Sequence, residues 1–422
     1  MVISHYDSDG ICSAAIMASA LKRMDKDFSV KIIKQLEKET IESLPKNNFL
    51  IFLDLGSGSL EQLNELKNEI CIIDHHEINK SITLNENLSI INPHLYDKED
   101  LCGACLTYLF VREIDKENKK LANLAIIGMV GDMLERNIGK IGNSIINDAE
   151  MVIKKGLLLY PATRPLNKTL EFSSSMFIPG VTGSSAGAIN LLREVGIEKK
   201  EDGFKSLIEL NEDEMSKLIT GILLRRNDKD INSFIGNIYL VNFNNHLEDA
   251  RELSAMINAC SRLDNSQVAF SLCLGSKEAR RKAEKIYADY KQHLVSGLSF
   301  VTNLKKIEGN DYVIINAKNN IKDTVIGTIA SILSMSSVYK EGTTIITMAN
   351  SENKIKVSAR IAGRNGNGNG KNIRELLDSV VKEIGGESGG HALAAGCLIS
   401  KNKEKEFTEL LTKRLEIELV KI

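Results

Sequence analysis

Tryptophan is absent from this sequence, and only five of its 422 residues are proline. None of the prolines lies beyond Pro179, which excludes a proline-rich linker or tail from the second half. Charge of one sign is also missing: 54 Lys and Arg stand against 56 Asp and Glu, a formal net charge of −2. A globally basic field is therefore excluded, and any nucleic acid would have to be held by a local patch. No apolar run approaches the ~20 residues that a bilayer needs, and no basic start leads into an apolar leader, so neither a membrane partner nor secretion is expected. The seven cysteines show no framework spacing, and Cys102-Gly-Ala-Cys105 is the single C-x-x-C. Within a helical pattern that pair reads as packing, and the cysteine usage points to a reducing, cytoplasmic compartment.

What is present is a chain long enough for two or three domains with large cores. Residues 2 to 4 read as a short strand feeding a helix from Gly10 to Met24, with Ile11, Ala14, Ala15, Ala18 and Leu21 at helical spacing. Val30 to Ile33, Phe49 to Leu55 and Cys71 to Asp74 read as buried strands separated by polar helical segments. This alternation predicts an α/β fold with a doubly wound, mostly parallel sheet. Helical patterns follow over 103–114 and 119–133, and the first domain is expected to end near residue 165. Pro161, Pro165 and Pro179 mark a junction, and a helical connector is expected over 166–234. From 235 to 422 strands and helices alternate again through Ile238 to Val241, Asp249 to Leu263, Val268 to Leu274, a long charged helix from Ser276, and Tyr312 to Ile315. Thr343 to Met348 and Lys354 to Arg360, joined by a short polar turn, read as a hairpin in a smaller second α/β domain.

Chemistry concentrates at strand ends. Ile72-Ile73 runs into Asp74-His75-His76, and adjacent imidazoles closing an apolar strand need polar partners that packing does not supply. Asp7-x-Asp9 can set two carboxylates on one side of a short loop, although alone the motif also reads as a simple turn with Gly10 permitting the bend. Asp54 and Asp132 each close an apolar segment, where an unpaired charge would be costly. Carboxylates mixed with imidazoles suit Mn²⁺, Mg²⁺ or Zn²⁺, and the carboxylate majority favours the first two. Two such cations clamp a phosphoryl group and activate water for its hydrolysis.

In order along the chain, His5-x-Asp7-x-Asp9-Gly10, the strand-end Asp54, Asp74-His75-His76 and Gly131-Asp132 resemble the four motifs of the DHH phosphoesterase family. Gly389-Gly390-His391-Ala-Leu-Ala-Ala-Gly396 resembles the signature of its DHHA1 partner domain. The stretches 250–262 and 327–331 are most similar to RecJ-type single-strand exonucleases and their archaeal relatives. The resemblance implies a DHH domain over 1–165 and a DHHA1 domain over 235–422. It implies two metal ions, Mn²⁺ before Mg²⁺, one held by His5, Asp7 and Asp54, the other by Asp9, Asp54, His75 and Asp132. Asp74 would orient a histidine and His76 would contact the phosphate or leaving oxygen. Asn258, Arg262, Arg360, Gly389, Gly390 and His391 would hold the substrate. The implied activity is exonucleolytic release of mononucleotides from single-stranded DNA or RNA in replication or repair. Siblings that cleave short oligoribonucleotides, adenosine bisphosphate or cyclic dinucleotides are the enzymatic alternatives. A replication scaffold docking a GINS-type protein is the alternative from another class.

Two further stretches read more plainly. The glycine-rich segment 363–372 lacks P-loop spacing and reads as a loop before the helix from Ile373. The run 277–285 is basic enough to guide a strand, but reads first as a solvated helix face.

Overall fold

The computed structural model describes residues 1–96, 99–173, 176–226, 235–336, 338–363 and 371–418. It divides into two compact units, Met1–Thr163 with Ile235–Ala288, and Arg164–Phe234 with Asp289–Ile422.

In the first unit, β1 (Val2–His5), β2 (Val30–Ile33), β3 (Leu50–Leu53), β4 (Ile70–Ile73) and β5 (Leu88–Ile91) form a parallel sheet in the order β2-β1-β3-β4-β5. Each is a four-residue run rich in Ile, Leu and Val, and the four residues of β3 are all buried, as strands covered on both faces require. Ile3, Leu50, Phe52, Leu60, Leu63 and Ile72 form the core on one side. The chain winds from β1 outward to β2, then crosses to β3 on the other flank. That reversal opens a crevice at the carboxyl ends of β1 and β3, where the ligand-bearing residues of an open α/β sheet collect.

The helix Ser8–Arg23 starts at the crevice. Asp7 caps it by accepting the Gly10 N–H, Asp9 lies in its first turn and Lys22 and Arg23 in its last, all favourable to the helix dipole.

Residues after 234 return to this unit. β6 (Met151–Leu157), β7 (Ile235–Phe243) and β8 (His246–Asp249) form an antiparallel sheet, and Leu157 pairs with Ile235 across the excursion between them. The helices Ala250–Arg262 and Ser266–Cys273 then pack against the helix Ser8–Arg23. Ile235–Ala288 clusters with the first unit, whereas the sequence reading joined it to the residues that follow. One sequence expectation is corrected here. The stretch Val268–Leu274, placed as a strand by the alternation, is helical through Cys273, because a short apolar run satisfies either period and its partners here are helices.

The second unit combines helices Leu166–Glu171, Ser185–Glu194 and Glu212–Arg226 with a six-stranded sheet. Its strands are β9 (Ile307–Glu308), β10 (Tyr312–Asn316), β11 (Thr344–Ser351), β12 (Lys354–Ile361), β13 (Glu387–His391) and β14 (Ala394–Ser400), in the order β13-β14-β12-β11-β10-β9. The β11–β12 hairpin turns through Glu352 and Asn353, with Glu352 at φ +49°. Ile346, Val357, Leu377, Val380, Phe407 and Leu411 meet in this unit's core. The helix Lys277–Asn303 runs from the first unit into the second. Residues 364–370 of the glycine-rich segment lie outside the described residues; beyond them, Lys371 donates to the Gly342 carbonyl and Asn372 caps the helix Ile373–Ile384.

Candidate metal centre

Three strand ends and one helix end deliver the acids and imidazoles to the crevice. His5 closes β1, Asp54 follows β3, Asp74-His75-His76 follows β4, and Asp132 caps the C-terminus of the helix Ala122–Gly131. Asp54 sits at φ +56°, a left-handed conformation that a non-glycine residue keeps only where its surroundings impose it.

Its two oxygens face two different clusters. Oδ2 lies 3.3 Å from His5 Nδ1, which is 3.0 Å from Asp7 Oδ2. Oδ1 lies 3.2 Å from His75 Nε2, which in turn is 3.3 Å from Asp132 Oδ2 and 3.9 Å from Asp9 Oδ2. Donor atoms converge in three sets: His5, Asp7 and Asp54; Asp9, His75 and Asp132; and Asp54, His75 and His76. The geometry thus gathers all six residues expected to ligate metal, with Asp54 common to both halves.

The electrostatics call for positive charge. Burial pushes Asp9, Asp54 and Asp132 each up to about 8; the negative charge of Asp54 adds to the effect at Asp9, Asp7 at Asp54, and Asp9 at Asp132. Burial opposes a charged His5, but Asp7 and Asp54 outweigh it and push the imidazole up to about 11, while His5 holds Asp7 well below the usual carboxylate range against its own burial. Asp54 Oδ1 is buried and receives no hydrogen bond. An orphaned carboxylate oxygen among like charges, in a donor set of carboxylates and imidazoles, fits a divalent cation.

Neighbouring groups fix the donors. Asp9 accepts the N–H groups of Gly103, at 2.6 Å, and Ala104, at 2.9 Å, at the start of the helix Gly103–Ile114, an anchoring that the helix dipole favours. Asp74 is buried, accepts from Ser57 N–H at 2.8 Å and from His75 N–H at 2.8 Å, and bonds His76 Nδ1 at 2.7 Å. The histidine it orients is therefore His76, which it pushes up to about 9 against burial, while His76 outweighs the burial of Asp74 and holds that carboxyl well below its usual range. Asn92 ties this turn together by donating to Ser57 Oγ and to the His76 carbonyl. Ser57, Asn92 and the amides of Gly103 and Ala104 escaped the sequence reading. Asn92 at the end of β5 was the one legible signal, since backbone amides carry no residue code.

The six residues expected to hold substrate divide between the units. Asn258 and Arg262 lie on the helix Ala250–Arg262 of the first unit, where Asn258 Oδ1 accepts the Ser8 N–H at 3.0 Å. In the second unit Arg360 on β12 pairs with Ala394 on β14, which pairs with His391 on β13, so Arg360, Gly389, Gly390 and His391 share one end of the sheet. Arg360 donates to Ser331 Oγ, at 3.1 Å. Gly390 needs its freedom, at φ +121° with the Ala394 carbonyl against its missing Cβ, whereas Gly389 faces open space.

With a parallel sheet carrying this donor set and a mixed sheet ending in Gly-Gly-His, the class defined is that of the phosphoesterases. Residues 1–129 match the DHH family N-terminal domain, 159–233 the DHH-CID domain and 309–416 the DHHA1 domain, and the chain belongs to the DHH family. It is 30% identical to the uncharacterized protein MJ0831 of Methanocaldococcus jannaschii, over 96% of this chain and 90% of that one. A putative SPbeta prophage-derived single-strand DNA-specific exonuclease of Bacillus subtilis, YorK, is 27% identical over 40% of this chain and 30% of its own length. Among solved structures, the fold is shared with an exonuclease RecJ bound to manganese (TM-score 0.60, 16% identity, 97% of this chain and 88% of that one). CDC45 from Entamoeba histolytica shares it too, with a TM-score of 0.68 and 13% identity over 98% of this chain and 94% of that one. No helix among the described residues is long and apolar enough to cross a membrane.

Proposed function

We propose that this protein is a phosphodiesterase that trims single-stranded nucleic acid from an end, using two divalent cations, Mn²⁺ before Mg²⁺. The carrying observation is Asp54, whose two oxygens face separate donor clusters. His5, Asp7 and Asp54 would hold one ion and Asp9, Asp54, His75 and Asp132 the other; when bound, such a pair supplies charge neutralisation at the phosphoryl oxygens and a water of lowered pKa. His76, with Nδ1 committed to Asp74 and its side chain 49% exposed, has its other nitrogen to offer as a proton or hydrogen-bond donor for the leaving oxygen. A cavity of about 440 Å³ lined by Ser57, Gln62, Glu77, Asn79 and Ile82 adjoins this turn and has room for a nucleoside. Arg360 and His391, clustered at one end of the second unit's sheet with two glycines beside them, supply cation and donor groups for backbone phosphates. The similarity to YorK supports a single-stranded substrate.

The test is incubation with end-labelled DNA and RNA oligomers, with and without Mn²⁺, beside Asp132→Ala and a dinucleotide control. Metal-dependent shortening that the variant loses is expected, and equal activity of the variant would sink the assignment. Cleavage of the dinucleotide alone would move the protein to the short-oligonucleotide branch. The likeness to CDC45 favours a second reading, a replication scaffold, which absence of cleavage on every substrate would select.

A further inference from the structure

The helix Ala250–Arg262 reaches the first unit only after the chain has left for Arg164–Phe234 and returned. It carries none of the proposed ligands, yet one of its faces closes on the ligand-bearing turn. Ser8 is the first residue of the helix Ser8–Arg23, so its N–H is among the four that no intrahelical carbonyl can satisfy. Asp7 uses its side chain to cap Gly10, and Asn258 Oδ1 takes the Ser8 N–H from outside at 3.0 Å. One turn earlier on the same face, Ser254 Oγ lies 2.8 Å from Ser8 Oγ, and both serines are buried. A Cβ on Gly131 would stand 2.2 Å from Ser8 Oγ and 3.0 Å from Ser254 Oγ. Three chain segments therefore meet at Ser8, which stands between Asp7 and Asp9, while Gly131 immediately precedes Asp132.

We propose that Asn258 and Ser254 are positioning residues of the metal centre. They hold Ser8 so that Asp7, Asp9 and Asp132 keep their mutual spacing, and Asn258 acts on the ligands and not on the substrate. The inference rests on the metal-centre reading above. Loss of groups that orient ligands weakens metal affinity by about 10–100-fold, and this is the size expected for Asn258→Ala.

Mn²⁺ titration of the full chain, by calorimetry and by the electron paramagnetic resonance of the free ion, is compared for the wild type, Asn258→Ala and Ser254→Ala, together with KM for a single-stranded oligomer at saturating Mn²⁺. The expected result is weaker Mn²⁺ binding in both variants, larger for Asn258→Ala, with turnover recovered at high Mn²⁺ and KM within about twofold of wild type. If Asn258→Ala does not fold, Ser254→Ala still decides. Mn²⁺ affinity unchanged in a folded variant, with or without a raised KM, would overturn the inference while leaving the metal centre standing; no Mn²⁺ uptake by the wild type would overturn the metal-centre reading itself.

Discussion

Gly103 is neither a ligand nor a charged residue, yet replacing it with alanine should disable the site. A Cβ there would stand 2.7 Å from Asp54 Cβ and 2.9 Å from Asp9 Oδ2. Carbon atoms at rest sit about 3.5 Å apart or more, so the helix start and the two carboxylates would have to separate by about 0.8 Å. Secondary-structure propensity pulls the other way, since alanine in place of glycine favours a helix by up to about 1 kcal/mol. Overpacking costs about 1–3 kcal/mol, and the separation also stretches the Gly103 N–H bond to Asp9, now 2.6 Å. A misplacement near 1 Å at reacting groups lowers rates by about 100-fold. Gly103→Ala should therefore melt within a few degrees of wild type, bind Mn²⁺ at least tenfold more weakly and lose about two orders of magnitude in cleavage of a single-stranded oligomer. Wild-type Mn²⁺ affinity and turnover in Gly103→Ala would refute the placement of Asp9 and Asp54.

Protonation sets a second expectation. Asp9, Asp54 and Asp132 stand near 8 in the metal-free fold, against about 4 in the unfolded chain. Between these values the folded state holds more protons, so stability of the metal-free protein falls as pH rises from about 4 to about 8, and the gain in Tm on adding Mn²⁺ grows over the same window. A Mn²⁺-induced gain equal at pH 5.5 and pH 8 would contradict it. In the second unit Gly390→Ala should cost about 1–3 kcal/mol from its left-handed backbone, whereas Gly389→Ala should change stability by less than about 0.5 kcal/mol, both read by urea unfolding. Arg280 donates twice to Glu248 at 2.6 Å, and Glu248 is buried, so Arg280→Ala should cost about 1.5–3 kcal/mol without lowering Mn²⁺ affinity.

In the charged run 277–285, Arg280 pairs with Glu248 and Glu284, and Lys282 with Glu278.

Chemistry-bearing residues were legible because a parallel sheet delivers them at strand ends, where an apolar run stops abruptly at a charge. His5, Asp7, Asp9, Asp54, His75 and Asp132 each follow or flank such a run, and the fold brings their donor atoms together. The β11–β12 hairpin was legible from its period of two and its polar turn. Other features depended on residues far apart in the chain. That Ile235–Ala288 joins the first unit is decided by which helices its apolar faces meet. The stretch ending at Cys273 became helical for want of a strand to pair with. Asp9 is anchored by amides 94 and 95 residues away, backbone groups that carry no residue code. By itself the sequence determined which atoms can bind a cation; only the tertiary structure decided which amides and carbonyls hold them in place, because those contacts close long loops and involve backbone groups that every residue shares.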